Sequence, residues 1–237
     1  MNLEQAKICV ELSDLTYEND SYKGFNSLGF AHVRFFENEG SQAYVVHNET
    51  DVYVVYRGTD FDWQDILTLT NSWPSRLVAQ GKVQAGYAEA VDKVWFLINN
   101  YLQEEVDKYG MENNIYFTGH SLGGAMAIVS AARSDYIAKV YTFGSPRVGN
   151  KAFATSVLST IYRVTNENDI IPIIFPLFGY HHGGVEYKLF NGKVIEVKKA
   201  FSLWLKISWY KLKKFQWFDS LIGDHKSVEY VRVIKNL

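Results

Sequence analysis

The sequence predicts an α/β fold: a mostly parallel central sheet with antiparallel N-terminal strands and flanking helices. Three observations predict it. Three short runs rich in β-branched and aromatic residues follow one another early in the chain with only turns between them. Beyond residue 87, helix-like and strand-like runs alternate. No linker-like stretch or internal repeat interrupts this order. Alternation implies parallel strands joined by right-handed crossovers, whereas strands joined by tight turns pair antiparallel.

Residues 3–15 carry apolar side chains at helical spacing. Residues 30–36 (FAHVRFF), 43–47 and 52–56 read as strands, the last two joined by the turn-forming Asn48-Glu49-Thr50-Asp51 and followed by a sharp turn at Gly58. From 87 to 109 the residues Tyr87, Val91, Val94, Ile98, Leu102, Val106 and Tyr109 recur at intervals of three and four, and Gly110 supplies a stop. A short β-rich run at 115–118 leads into Gly119-His120-Ser121-Leu122-Gly123-Gly124 and a small-residue helix through Ala132. Strands at 139–143 and 161–165 enclose a further helix, and 185–190 reads as another strand. The 237 residues are read as one domain, 1–237, large enough to bury a sizeable core.

Composition narrows the function. Hydrophobic residues make up 47% of the chain and only four prolines occur, which is the composition of a folded protein rather than a low-complexity one. A formal net charge of -2 gives no field that would gather nucleic acid, and no nucleic-acid partner is expected. The single cysteine, Cys9, excludes an intrachain disulfide and sits in an apolar stretch as an inert core thiol. The residues after Met1 lack a basic region followed by an apolar run, so the expectation is a cytoplasmic or leaderless protein, with secretion left open.

The chemistry concentrates at Gly119-x-Ser121-x-Gly123, placed between a strand and a helix. A serine at such a turn is held in a strained backbone with its hydroxyl projecting, and the flanking glycines remove side chains that would collide. The helix that follows directs its positive end toward a developing anion. A serine is a weak nucleophile and needs a base, which in turn needs an orienting acid, and on this arrangement they follow in the order Ser, Asp, His. Asp169 lies just past the 161–165 strand, where an acid reaches the C-terminal edge of the sheet; the nearby Glu167 is read as solvated. His32, His47 and His120 do not follow the acid and are read as structural. Of the later histidines, order and spacing favour His225 over His182, which stays open as the alternative. An oxyanion needs two preorganised donors. The backbone N–H of Leu122 supplies one, and Thr59, in Val54-Val55-Tyr56-Arg57-Gly58-Thr59, fits the other, although a simple β-turn at Gly58 explains the same spacing.

From about Leu12 to Tyr230 these motifs together resemble the class 3 lipase family, which contains the fungal triacylglycerol lipases. Tyr56-Arg57-Gly58-Thr59 is similar to the family's oxyanion loop, and Asp62-Trp63-Gln64-Asp65-Ile66 to the elements that often follow it. Val83-Gln84-Ala85-Gly86-Tyr87 resembles the opening of its long helix, and Tyr141-Thr142-Phe143-Gly144-Ser145-Pro146-Arg147-Val148-Gly149-Asn150 its most recognisable strand and turn. The resemblance implies an α/β-hydrolase fold and a carboxylic-ester hydrolase with Ser121, Asp169 and His225 as its triad, Thr59 and Leu122 as its oxyanion hole, and no cofactor or metal. It places the catalytic histidine in Asp224-His225 and a non-catalytic one at His182. The secreted fungal members carry disulfides and a leader; neither is read in these residues, so secretion does not follow from the resemblance. The acidic cluster Asp60, Asp62 and Asp65 lacks the pattern of a calcium loop and is read as structural.

The implied substrate is an acylglycerol ester. The nearest alternative is phospholipase A1-type action on phospholipids, and one from another class is a catalytically silent interaction module. Residues 61–77 have the apolar content of a lid, or of a segment packed on the sheet. Residues 170–178 (IIPIIFPLF) offer a proline-broken apolar surface for an acyl pocket. Residues 198–218 hold six lysines, several aromatics and no acid, which suits peripheral contact with a lipid interface and equally a half-buried helix with solvated lysines.

Overall fold

The structure is a computed structural model that describes residues 1–58, 75–167, 169–173, 179–197 and 225–237. Its centre is an eight-stranded sheet in the order β1-β2-β3-β6-β7-β8-β9-β10. β1 (His32–Asn38), β2 (Ser41–His47) and β3 (Val52–Tyr56) form the expected antiparallel meander. β6 (Ile115–His120), β7 (Lys139–Phe143), β8 (Thr160–Asn166) and β9 (Val185–Phe190) continue it in parallel from β3. β10 (Lys193–Glu196) closes the far edge antiparallel to β9. A separate hairpin pairs β4 (Ser75–Val78) with β5 (Gly81–Gln84).

The central strands are buried on both faces, and their alternation shows why. Val52, Val54 and Tyr56 of β3, with Ile115 and Phe117 of β6, pack under α3 (Ala85–Tyr109) and α4 (Leu122–Arg133). The intervening Tyr53, Val55 and Tyr116, with Tyr141 and Phe143 of β7, face α1 (Leu3–Leu15) and the C-terminal α6 (Ser227–Lys235). With apolar groups pointing both ways, such a strand is stable only between two helical layers. α2 (Ser21–Ser27) and α5 (Lys151–Ser156) complete the helices among the described residues, none of which is long and apolar enough to cross a membrane.

Local chemistry sets the element ends. Gln84 accepts a hydrogen bond from Tyr87 N at 2.9 Å and caps α3, which ends at Gly110 in the left-handed conformation (φ 68°). Asn150 accepts from Phe153 N and from Lys82 N, each at 3.0 Å, so one side chain both caps α5 and ties it to β5. Residues 75–77, the end of the lid candidate 61–77, belong to β4. Residues 61–74, the acids Asp60, Asp62 and Asp65, residues 174–178 and the whole of 198–218 lie outside the described residues.

Candidate active site

β6 delivers the elbow. Directly after it, Ser121 adopts φ 56° and ψ −124°, a conformation that costs a non-glycine residue on the order of 1–3 kcal/mol. The turn is held by Ser121 N donating to Phe143 O at 2.9 Å and by Gly124 N donating to Ser121 O at 3.0 Å. A side chain at Gly119 would collide with the backbone of Gly123, and one at Gly123 with the carbonyl of Tyr56, so both glycines are required by close approach. Leu122 is the first residue of α4, where a backbone N–H has no carbonyl four residues back to bond within the helix.

Asp169 leaves the end of β8. Its Oδ1 accepts from Ile171 N at 2.9 Å at the start of a 3-10 turn, Ile171–Ile173, which fixes the carboxylate relative to the chain. His225 stands two residues before α6, whose N-cap is Lys226. These residues, far apart in sequence, meet: His225 Nδ1 lies 2.7 Å from Asp169 Oδ2, and His225 Nε2 lies 2.8 Å from Ser121 Oγ. With Nδ1–H donating to the carboxylate, Nε2 is left as the acceptor for the serine proton. Ser121, Asp169 and His225 are all buried, at 2%, 1% and 1% exposure.

The motif after β7 has its reason here. Gly144 has φ +62°, and a Cβ on it would stand 2.6 Å from Asp169 Oδ2 and 2.9 Å from His225 Cε1. The histidine–aspartate pair therefore runs across a space that only glycine leaves open. Gly124 of the elbow is likewise seated against Ser145, where a Cβ would meet Ser145 Cβ at 2.9 Å.

Thr59 lies outside the described residues. The chain that leads to it passes beside the elbow, since a Cβ on Gly58 would stand 2.8 Å from His120 O. His182 engages the Pro172 carbonyl through Nε2 at 2.7 Å and stands apart from the serine–histidine–aspartate chain. His47 lies 3.2 Å from Glu105 and stacks on His32 at 4.4 Å, far along the sheet on β1 and β2. Among the described residues no group of three or more His, Cys, Asp or Glu side chains is placed to hold a metal ion.

One site residue escaped the sequence reading. Tyr230, buried on α6, donates its hydroxyl hydrogen to Asp169 Oδ2 at 2.5 Å and accepts from Asn166 N at 2.9 Å. The same carboxylate oxygen thus receives both His225 and Tyr230. In sequence Tyr230 is one aromatic among apolar neighbours, indistinguishable from a core residue. His120, in the elbow itself, is also tied to the site: its Nε2 stands 2.5 Å from the carbonyl oxygen of His225.

The family model for Lipase (class 3) matches residues 53–179, more than half of the chain. The chain belongs to the class 3 lipase family. It is 34% identical to a lipase of Rhizomucor miehei over 155 residues, covering 59% of this chain and 42% of that protein. It is 39% identical to secreted mono- and diacylglycerol lipase 1 of Fusarium solani over 126 residues, covering 49% and 37%. With phospholipase A1-II 1 of rice it shares 30% identity over 203 residues, covering 72% and 50%. The chain thus spans half or less of the length of these relatives. Among solved structures, the native Rhizomucor miehei lipase propeptide complex superposes with a TM-score of 0.70 at 24% identity, covering 84% of this chain and 72% of that one. A triacylglycerol lipase whose catalytic centre is described as a serine protease triad gives 0.71 at 21%, covering 96% and 92%. The fold is that of the α/β-hydrolases.

Proposed function

We propose that this chain is a serine carboxylic-ester hydrolase that cleaves acylglycerols through an acyl-enzyme on Ser121. The observation that carries the reading is the unbroken hydrogen-bond chain Ser121 Oγ–His225 Nε2, His225 Nδ1–Asp169 Oδ2 on a left-handed serine at the head of a helix. His225 takes the serine proton as Oγ attacks the ester carbonyl, and Asp169 stabilises the imidazolium that forms. The Leu122 and Thr59 N–H groups serve the tetrahedral oxyanion. The imidazolium returns its proton to the departing glycerol oxygen, and water, activated by the same histidine, releases the fatty acid. This cycle uses side chains and backbone alone and calls for no cofactor. The mono- and diacylglycerol lipase of Fusarium solani among the relatives supports the substrate class. Residues 61–77 and 198–218 are assigned to contact with the lipid interface, on composition.

A phospholipase A1-type activity is the second reading, favoured by the similarity to the rice protein over 72% of this chain. Release of fatty acid from short- and long-chain glycerol esters and from a phospholipid, wild type against Ser121→Ala, tests both. Serine-dependent release from glycerides supports the first reading, and a preference for the phospholipid replaces it with the second. No turnover above the Ser121→Ala background would overturn the enzymatic reading and leave an interaction module.

A further inference from the structure

The hydrolytic cycle uses the side chain of His225, whose backbone must also be held beside the elbow. His120 and Tyr17 are buried or half-buried at that spot, and no step employs them.

A carbonyl oxygen has no hydrogen to give, so in the 2.5 Å contact between His120 Nε2 and His225 O the imidazole is the donor. His120 is 3% exposed, and burial, reinforced by the neighbouring His225, holds its pKa well below the ordinary histidine value. The ring is therefore neutral, and with its proton on Nε2 it presents a lone pair at Nδ1. Tyr17 Oη stands 3.1 Å from that nitrogen and donates to it. The tautomer is thus fixed from both ends. Tyr17 is anchored in turn: its ring meets His120 edge-on at 5.9 Å, the Arg57 guanidinium lies 5.7 Å from its centroid, and a side chain at Gly58 would collide with its hydroxyl. His120 also packs its ring 4.6 Å from that of His225.

We propose that His120, locked in one tautomer by Tyr17, is a positioning residue for the base: it pins the His225 backbone to the elbow so that Nε2 stays in line with Ser121 Oγ. The inference rests on the serine-hydrolase reading. Its chemical logic is twofold. The donor to the His225 carbonyl resists retreat of the ring when His225 becomes an imidazolium during the reaction. A neutral ring at 4.6 Å achieves this without placing a second positive charge beside that imidazolium. Tyr17 further links the pin to the end of β3 through Arg57 and Gly58.

The test uses His120→Gln, His120→Leu and Tyr17→Phe in the full chain, each checked for native circular dichroism. Glutamine keeps an N–H donor and a carbonyl acceptor at matching positions, whereas leucine keeps bulk alone. His120→Leu should lower kcat for a soluble p-nitrophenyl ester about 10- to 100-fold with KM nearly unchanged, because misplacement by a fraction of an ångström harms the reacting geometry and not binding. His120→Gln should recover most of that loss, and Tyr17→Phe, which removes one hydroxyl and endangers folding least, should show a smaller loss in kcat alone. A folded His120→Leu or Tyr17→Phe protein with wild-type kcat, or equal losses in the glutamine and leucine variants, overturns the proposal. The Ser121→Ala control separates the two levels: if no ester is turned over above its background, the serine-hydrolase reading falls. The pin is then read from the low-field Nδ1–H proton resonance of His225, which should broaden in His120→Leu and return in His120→Gln; an unchanged resonance in His120→Leu also overturns it.

Discussion

At the scale of single residues, the site depends on two positions whose importance lies in what they touch. Tyr230 donates to the oxygen of Asp169 that also receives His225, and a hydrogen bond to a charged group contributes about 1.5–3 kcal/mol. Tyr230→Phe should fold normally and lower kcat/KM for a soluble ester about tenfold, measured against wild type at neutral pH. Gly144 is the more severe case. Gly144→Ala adds a Cβ 2.6 Å from Asp169 Oδ2 at a backbone with φ +62°, so the aspartate and His225 must both move. Activity should fall by more than about 100-fold, and a variant with wild-type kcat would refute the close packing of Asp169 and His225 against Gly144.

At the scale of elements, some boundaries were legible from the sequence and others were not, and the difference is physical. Val52–Tyr56, Lys139–Phe143 and Val185–Phe190 end where the sequence reading put them, because each is a short β-branched or aromatic run bounded by turn residues. The helix ending at Gly110 was equally plain, its apolar stripe running for many turns to a glycine that takes φ 68°. β10, α2 and the β4–β5 hairpin were not predicted. Lys193–Glu196 is only four residues long and mostly exposed, too short a run to stand out in the sequence, and pairing with β9 makes it a strand. Ser21–Ser27 is a short helix begun by the Asp20 cap, which accepts from Lys23 N at 3.1 Å. Within the site, motif and order single out Ser121, Asp169 and His225, and the fold brings these three into one hydrogen-bonded chain. Tyr230 was not legible, since its role follows from the fold of α6 over β8. Two element-scale outcomes follow from the caps. Gly110→Ala should destabilise the protein by about 1–2 kcal/mol and leave kcat unchanged. Asn150→Ala, which strands the Phe153 and Lys82 N–H groups, should cost about 1–2 kcal/mol. Urea unfolding measures both.

At the scale of the whole molecule, burial of neutral histidines sets a pH dependence of stability. Burial holds His120 well below its ordinary value; it does the same to His182, with help from the Arg163 and Arg147 charges. In the native chain both stay neutral at pH values where the unfolded chain protonates them. The unfolded state then binds more protons, so stability is full above about pH 6.5 and is lost as pH falls below it toward the native values. Each group contributes a slope of at most about 1.4 kcal/mol per pH unit. Unfolding free energies at about pH 7.5 and about pH 5.5 should show this loss, and His182→Gln should reduce it; an identical pH dependence in that variant would remove His182 from the account. The assembly of the site has a further consequence at this scale. The base meets the serine across 104 residues and the acid across 56, and the three arrive from three different strand or helix ends. The serine–histidine–aspartate chain therefore acts as a coincidence detector for completed folding: a partly made or partly unravelled chain holds all the ingredients and none of the arrangement. During refolding, capture of Ser121 by a fluorophosphonate should lag behind the return of helical signal.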